Sequence, residues 1–150
     1  MSTPASADVR PSTARRRARV IALQVLYEID GARHDPDLAF EQRLREQSIP
    51  TPAESFAREI IAGVLENRER IDTIISTYAP SWPISQMAVV DRNILRVAIF
   101  ELGIGKETPP KVAINEAVEL GKVFGSDASP KFVNGVLGSV IGSQLEIEES

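Results

Sequence analysis

The stretch VAINEAVELGKVFGSDASPKFVNGVL, residues 112–137, predicts a hairpin of two helices around a tight turn. Apolar or small residues recur at helical spacing on both sides of this turn. Gly125 is suited to end the first helix, and Ser129 followed by Pro130 is suited to begin the second, as N-cap and first helical residue. The spaced positions are Ile114, Ala117, Val118 and Gly121 before the turn, and Val133, Val136, Leu137, Val140 and Ile141 after it.

Similar signals along the rest of the chain predict further helices, so that the whole is an all-α fold. No segment alternates with period two and no heptad pattern is sustained, which favours a compact single-domain bundle of about seven helices. We expect residues 1–11 to form a flexible N-terminal tail and residues 12–150 to form the helical domain. The predicted helix starts are Ser12, Asp35-Pro36, the capping box Thr51–Glu54, Asn67 (unless the third helix simply continues) and about Gln86, with the fifth helix reaching Leu102.

Composition restricts the class of protein. The chain has 150 residues, of which 43% are hydrophobic and 25% charged, as expected for one globular domain. It has no cysteine, which excludes disulfides and thiol chemistry and suits a reducing compartment. No apolar run approaches the ~20 residues of a membrane span, and the N-terminus lacks the apolar core of a signal peptide. We therefore expect a cytoplasmic protein without a membrane partner.

Charge is distributed unevenly. Residues 1–20 hold five arginines and one acid, Asp8, a net charge of +4; the whole chain is −4, so residues 21–150 carry −8. A basic arm on an acidic body suggests a polyanionic partner at one end, and a solvated helix start is the simpler alternative.

Catalysis finds little support in the sequence. The single histidine, His34, lies in a loop beside a capping aspartate, whereas a catalytic triad needs a base held between a nucleophile and an acid. The segment Gly103–Lys106 departs from a phosphate-binding loop, because Phe100 stands in place of the first glycine and Glu107 follows the lysine. We interpret it as a loop. The acids lack metal-ligand spacing, and we expect no metal, no cofactor and no enzymatic activity.

The arginine cluster is the better candidate for function. On a helix, Arg15, Arg16 and Arg19 can share one side, and their planar guanidinium groups suit phosphates. Positive charge at a helix N-terminus opposes the macrodipole, which favours an external anion as the reason for the cluster. Phe124 and Phe132 could stack on bases of single-stranded RNA, with core packing as the alternative.

Polar and small residues in the last two helices also need an explanation. Asn115 and Asn134 could contact RNA, but the interpretation we favour is that they are buried amides bonded to loop backbone. Gly135, Gly138 and Gly142 lie three and four residues apart, which suggests that another backbone approaches closely there, since glycine otherwise destabilises a helix.

Four stretches, in the same order along the chain, closely resemble the NusB family. They are RRRAR at 15–19, QVLY at 24–27, VDRNILRVAIFEL at 90–102 and the hairpin at 112–137, and together they span Arg15 to Leu137. The resemblance implies an all-helical transcription antitermination factor. Such proteins pair with the ribosomal protein NusE, bind the boxA element of nascent RNA, and act with RNA polymerase and other Nus factors, notably on ribosomal RNA operons, without catalysis.

The resemblance also implies roles for particular residues. One loop position departs from some relatives: Ala128 stands where they have the second acid of FGAED, which lowers the negative charge near the RNA. The expected RNA-binding residues are Arg15, Arg16, Arg19, Phe124, Lys131 and Phe132, and those expected to bind NusE are Tyr27 and Asp91.

Two other functions are compatible with this resemblance. Some ribosomal RNA cytosine methyltransferases carry a NusB-like N-terminal domain, but a chain ending at Ser150 leaves no room for a methyl-donor site. A role in ribosome assembly through NusE would use the same surfaces. The sequence leaves open whether the free protein is a monomer or a homodimer, and which RNA sequence it prefers.

Overall fold

The regular structure of this protein is entirely helical in the part that the computed structural model describes, residues 11–32 and 34–149. Seven α-helices and no strand occur in these residues, which confirms the predicted fold class. Of the predicted tail, residues 1–10 lie outside the described part. The α-helices are α1 Pro11–Ala32, α2 Pro36–Glu46, α3 Thr51–Glu66, α4 Arg68–Tyr78, α5 Val89–Ile99, α6 Pro110–Phe124 and α7 Ser129–Glu149.

Helix α5 forms the centre of the bundle. It packs against α1, α3, α4, α6 and α7, and every residue from Asn93 to Ile99 is buried. Helix α1 lies against α2 and α3 as well as α5, and α6 packs along α7. A helix that is buried on all sides is normally apolar all round. Asn93 and Arg96 depart from this rule, and both are hydrogen-bonded to side chains of other helices.

The predicted helix starts are only partly confirmed. Asp35 caps α2, because its carboxylate accepts a hydrogen bond from the backbone N–H of Asp37 at 3.1 Å. The capping box at Thr51 is wrong: Thr51 already belongs to α3, so Pro50 takes the N-cap position and no side chain caps this end. A separate fourth helix does follow Asn67, but the Asn67 amide donates to the carbonyl of Gly63 at 2.8 Å. Asn67 is therefore at once the C-cap of α3 and the N-cap of α4, but its side chain bonds to α3 and does not cap α4.

The predicted fifth helix is divided into three pieces. A 3₁₀ turn, Ile84–Gln86, precedes α5, and a π-helical turn, Phe100–Gly105, follows it and ends at Lys106 with φ of 55°. The segment interpreted as a loop, Gly103–Lys106, thus largely belongs to this π turn. The turn places the Phe100 ring directly on Gly63 of α3, where an added Cβ would overlap the ring.

The hairpin of α6 and α7 is confirmed, with two corrections. Gly125 ends α6 as predicted, and an added Cβ there would collide with Ser129. Ser129, however, is the first residue of α7 rather than its N-cap. The close approach expected at Gly135, Gly138 and Gly142 is absent from the described chain: all three are exposed, and nothing lies within 4 Å of where their Cβ atoms would be.

The two asparagines of this hairpin are also exposed, which contradicts the expectation of buried amides. Asn115 lies two residues from both Ala113 and Ala117, which are buried, and positions two apart point to opposite sides of a helix. Asn134 likewise lies two residues from the buried Val136. Among the described residues, no helix combines the length and hydropathy needed to cross a membrane.

Candidate nucleic-acid interface

The three arginines predicted to contact RNA lie in very different surroundings on α1. Arg16 is the exposed member, with 56% of its side chain accessible, and it donates from Nε and Nη2 to the two carboxylate oxygens of Glu116 at 3.0 and 2.7 Å. This hydrogen bond, together with the charge of Glu116, raises the pKa of Arg16. Arg15 is half-buried, with its guanidinium carbon 4.6 Å from the centre of the Phe56 ring.

Arg19 is buried, which corrects the expectation that it lies exposed beside Arg16. Only 3% of its side chain is accessible, and Nε and Nη2 each donate to the equally buried carboxylate of Glu101 at 2.8 Å. Thr108 donates to the same carboxylate at 2.7 Å. With Nε and Nη2 held by Glu101 and Nη1 lying 3.6 Å from a carboxylate oxygen of Glu116, Arg19 is not available to a phosphate from solvent. It fixes α1 to the π turn instead.

Helix α6 connects the arginine cluster to the predicted aromatic site. Glu116 holds Arg16, and the charge of Glu119, one turn later, also favours the charged form of Arg16. Lys122 pairs with Glu119 at 2.9 Å. From Glu116 the helix continues for eight residues, about 12 Å at 1.5 Å per residue, to Phe124 at its C-terminal end. Charged side chains of both signs thus line the path from α1 to the hairpin turn.

The remaining predicted RNA residues lie on the two sides of the hairpin turn. Phe124 is the last residue of α6, and Lys131 and Phe132 lie in the first turn of α7. Both phenylalanines are half-buried and pack against the core, whereas Lys131 is exposed. A base could therefore contact only the outer part of either ring, with Lys131 beside it.

The two positions predicted to bind NusE are linked through Asp30. Tyr27 is 49% exposed on α1, and Asp30 follows one turn later on the same helix. The Asp30 carboxylate accepts from Nε and Nη2 of Arg92 at 2.8 and 2.9 Å. Arg92 is the immediate neighbour of Asp91, so the C-terminal part of α1 and the start of α5 present Tyr27 and Asp91 on connected elements.

Asp91 also contacts the hairpin. Its carboxylate accepts a hydrogen bond from the hydroxyl of Ser129 at 2.6 Å, and the same hydroxyl accepts from the backbone N–H of Ser126 at 2.9 Å. Asp91 is half-buried, so this contact is part of the fold. It places the predicted NusE position next to the turn that carries Lys131 and Phe132.

The histidine and the acidic side chains are the remaining candidates for chemistry in the described residues. His34 is exposed, and its Nδ1 lies 2.7 Å from a carboxylate oxygen of Glu28, without a nucleophile in the contact. No group of three or more histidine, aspartate or glutamate side chains in the described part is placed to hold a metal ion.

Sequence reasoning missed two kinds of residue. The acidic partners Glu101 and Glu116 gave no local signal, because they lie 82 and 100 residues from the arginines they hold. Trp82 lies between Pro80 and Pro83 in a connector, and this pattern by itself predicts no role for it. It is 53% exposed and forms an edge-to-face pair with Phe132.

Comparison with known proteins identifies sequences and structures that are similar to this chain. The NusB family profile matches residues 16–142. Transcription antitermination protein NusB of Roseiflexus sp. (strain RS-1) is 50% identical over 134 residues, which is 88% of this chain and 94% of that protein. The NusB structure of T. maritima superimposes with a TM-score of 0.78 at 38% identity, covering 84% of this chain and 89% of that one. A chain from a crystal structure of antitermination factors NusB and NusE with double-stranded RNA gives 0.80 at 30% identity, covering 87% and 97%.

Proposed function

The chain belongs to the NusB family, and from this premise we propose that it is a transcription antitermination factor. It binds boxA RNA together with ribosomal protein NusE and promotes processive transcription of ribosomal RNA operons, in the RNA polymerase complex that contains the other Nus factors. Its role is binding rather than catalysis. Because the RNA that it binds is nascent, it acts in the bacterial cytoplasm.

The observation that most supports this proposal is the hydrogen bond between Asp91 and Ser129. Asp91 is the proposed NusE contact, and Ser129 lies three residues before Phe132, a proposed RNA contact. The two surfaces therefore adjoin, so that one RNA strand can touch both proteins of the complex. This arrangement gives a physical reason for tighter RNA binding in the presence of NusE.

The proposed RNA surface consists of Arg15, Arg16, Phe124, Lys131 and Phe132. Arg19 is left out of the contacting set because it is buried against Glu101. The surface includes few cations, and Arg16 must exchange the carboxylate of Glu116 for a phosphate. Binding by the free protein should accordingly be weak and salt-dependent.

Charge reversal at Arg16 tests the RNA surface. We expect Arg16→Glu to weaken binding of boxA-like RNA about tenfold and to reduce the salt dependence by one phosphate contact, about 0.7 log units per log salt. Fluorescence anisotropy of labelled RNA over a series of salt concentrations, with and without NusE, measures both. Stability should change little, because Arg16 is exposed.

Arg58→Glu is the matched control for this experiment. Arg58 is also 56% accessible and also pairs with a glutamate, Glu54, but it lies on α3 and stacks on Phe40. The Arg58→Glu variant should bind RNA with the wild-type affinity and salt dependence. Equal losses in the two variants would show a general effect of net charge and would remove Arg16 from the proposed surface.

Substitution at Asp91 tests the NusE surface. Asp91→Lys should weaken association with NusE, because an acid at the start of a helix can attract a basic partner, while RNA binding by the free protein should be retained. Ser129→Ala is the control, since it removes the same hydrogen bond without changing the charge of Asp91. Calorimetry with purified NusE should show a loss of affinity for the Asp91→Lys variant and not for Ser129→Ala. If Ser129→Ala is equally weakened, Asp91 acts by holding the fold.

A further inference from the structure

Trp82 has a large aromatic side chain that is partly exposed to solvent. It lies in the connector between α4 and α5, and 53% of it is exposed. Pro80 and Pro83 restrict the backbone on either side, and the backbone N–H of Trp82 donates to the carbonyl of Ala79 at 3.1 Å. The ring is therefore presented by a stiff turn, so that little conformational entropy is lost when a ligand covers it.

The ring of Trp82 packs at a right angle to Phe132. The two ring centres are 6.5 Å apart and the planes meet at 88°. In such an edge-to-face pair, the ring that offers its edge keeps both faces uncovered by its partner. The contact joins the connector to the first turn of α7, next to the exposed Lys131. The pair of aromatic rings, Trp82 and Phe132, thus lies close to a cation through Phe132, the neighbour of Lys131 in the sequence.

The surroundings of Trp82 suit an anionic strand better than an apolar protein surface. Residues 79–90 contain no acidic side chain, although acids outnumber bases in the chain as a whole. Among the exposed residues near the tryptophan in sequence, Ser81, Ser85 and Gln86 are small or polar, and none is a large apolar side chain. Isolated aromatic rings near a cation are typical of sites that stack single-stranded bases.

We propose that Trp82 and Phe132 form a base-stacking corner that receives one nucleotide of single-stranded RNA. This inference rests on the proposed function and extends the RNA surface across the α4–α5 connector, with Lys131 contacting the adjoining phosphate. Stacking depends on the base and not on the backbone charge. Loss of Trp82 should therefore reduce affinity without changing the salt dependence, unlike loss of Arg16.

The protein provides its own probe for this proposal, because Trp82 is the only tryptophan in the chain. Intrinsic fluorescence is followed while single-stranded boxA-like RNA is added, and anisotropy of labelled RNA is measured in parallel. Emission should be quenched over the same range of RNA concentration in which anisotropy rises. An RNA of the same length with abasic sites keeps its phosphates, so it should still raise the anisotropy but leave the emission unquenched.

Substitutions complete the test. Trp82→Ala should weaken RNA binding about tenfold with the salt slope unchanged, and Trp82→Phe should retain most of the affinity, since a smaller ring still stacks. Leu38→Ala is the matched control, because Leu38 is another exposed large apolar residue, on α2. It should bind RNA as the wild type does. Thermal unfolding of each variant checks that the fold is kept.

Three results would overturn the inference. If anisotropy reports RNA binding while the emission stays constant and Trp82→Ala binds normally, the corner does not contact RNA, and the proposed function stands. If the emission changes only when NusE is added without RNA, Trp82 faces the protein partner. If the wild type fails to bind RNA even with NusE, the proposed function fails as well.

Discussion

Replacing Arg19 by alanine should destabilise the protein by about 3–5 kcal/mol, the range expected when one partner of a buried ion pair is removed. Glu101 would be left as a carboxylate with 3% of its side chain accessible and with Thr108 as its remaining donor. Urea denaturation followed by circular dichroism measures the change. Arg16→Ala, three residues earlier on the same helix, should stay within about 0.5 kcal/mol of the wild type, because that side chain is exposed.

A double substitution distinguishes a lost ion pair from lost packing. Replacing Arg19 by methionine and Glu101 by leucine together removes both charges and keeps much of the volume, so stability should return close to that of the wild type. An Arg19→Ala variant that unfolds at the wild-type urea concentration would contradict the buried pair. The result matters for function, because RNA binding lost through Arg19 would reflect unfolding rather than a missing contact.

Removing the charge of Asp30 should also destabilise the protein strongly. Asp30 is the shared acceptor of Arg92, Asn93 and Arg96, with oxygen–nitrogen distances of 2.8–3.0 Å. Asp30→Asn would leave two largely buried guanidinium groups without this partner, and we expect a loss of about 3 kcal/mol at neutral pH. Asp72 continues to hold Arg96 at 2.8 Å, which limits the damage.

The pKa of Asp30 predicts how the stability of the protein depends on pH. Burial raises the pKa of Asp30, but the hydrogen bonds from Arg92 and Asn93 and the charges of Arg96 and Arg92 outweigh it and lower the pKa from 3.8 to about 2. A lowered pKa means that the carboxylate stabilises the fold above pH 3.8 and that this contribution, about 2 kcal/mol, is lost as the pH falls toward 2.

Denaturation at several pH values between 2 and 5 tests this linkage. The difference in stability between the wild type and Asp30→Asn should shrink by about 2 kcal/mol as the pH is lowered from about 4 to about 2, because other carboxylates titrate equally in both proteins. A difference that stays constant over this range would mean that Asp30 titrates normally and that its contacts to the arginines are weak.

Local signals in the sequence predicted most of the helices correctly. Prolines and apolar spacing act within one or two helical turns, so they are visible in any short stretch of chain. Asp35 capped α2 as expected, and Gly125 ended α6. The errors at Thr51 and Ser129 amount to a single residue each, since a serine or threonine can begin a helix either as its N-cap or as its first residue.

The contacts of the polar residues in the stretch VDRNILRVAIFEL could not be predicted from the sequence. Its pattern supported the family resemblance but did not say what its polar side chains do. In the structure Asp91 binds Ser129, Asn93 binds Asp30, and Glu101 binds Arg19. These side chains hold α5 and the π turn against α1 and α7. The role in NusE binding proposed for Asp91 adds to this structural contact.

The sequence by itself determined the helical class, the positions of most helices, and a basic segment at one end that points to an anionic partner. Only the tertiary structure decided which charged residues are free to act. Arg16 and Arg19 are indistinguishable by local pattern, yet one faces solvent and the other is buried on a glutamate 82 residues away. The reason is physical: helix formation depends on neighbours three and four residues apart, whereas burial and ion pairing depend on which helices pack together.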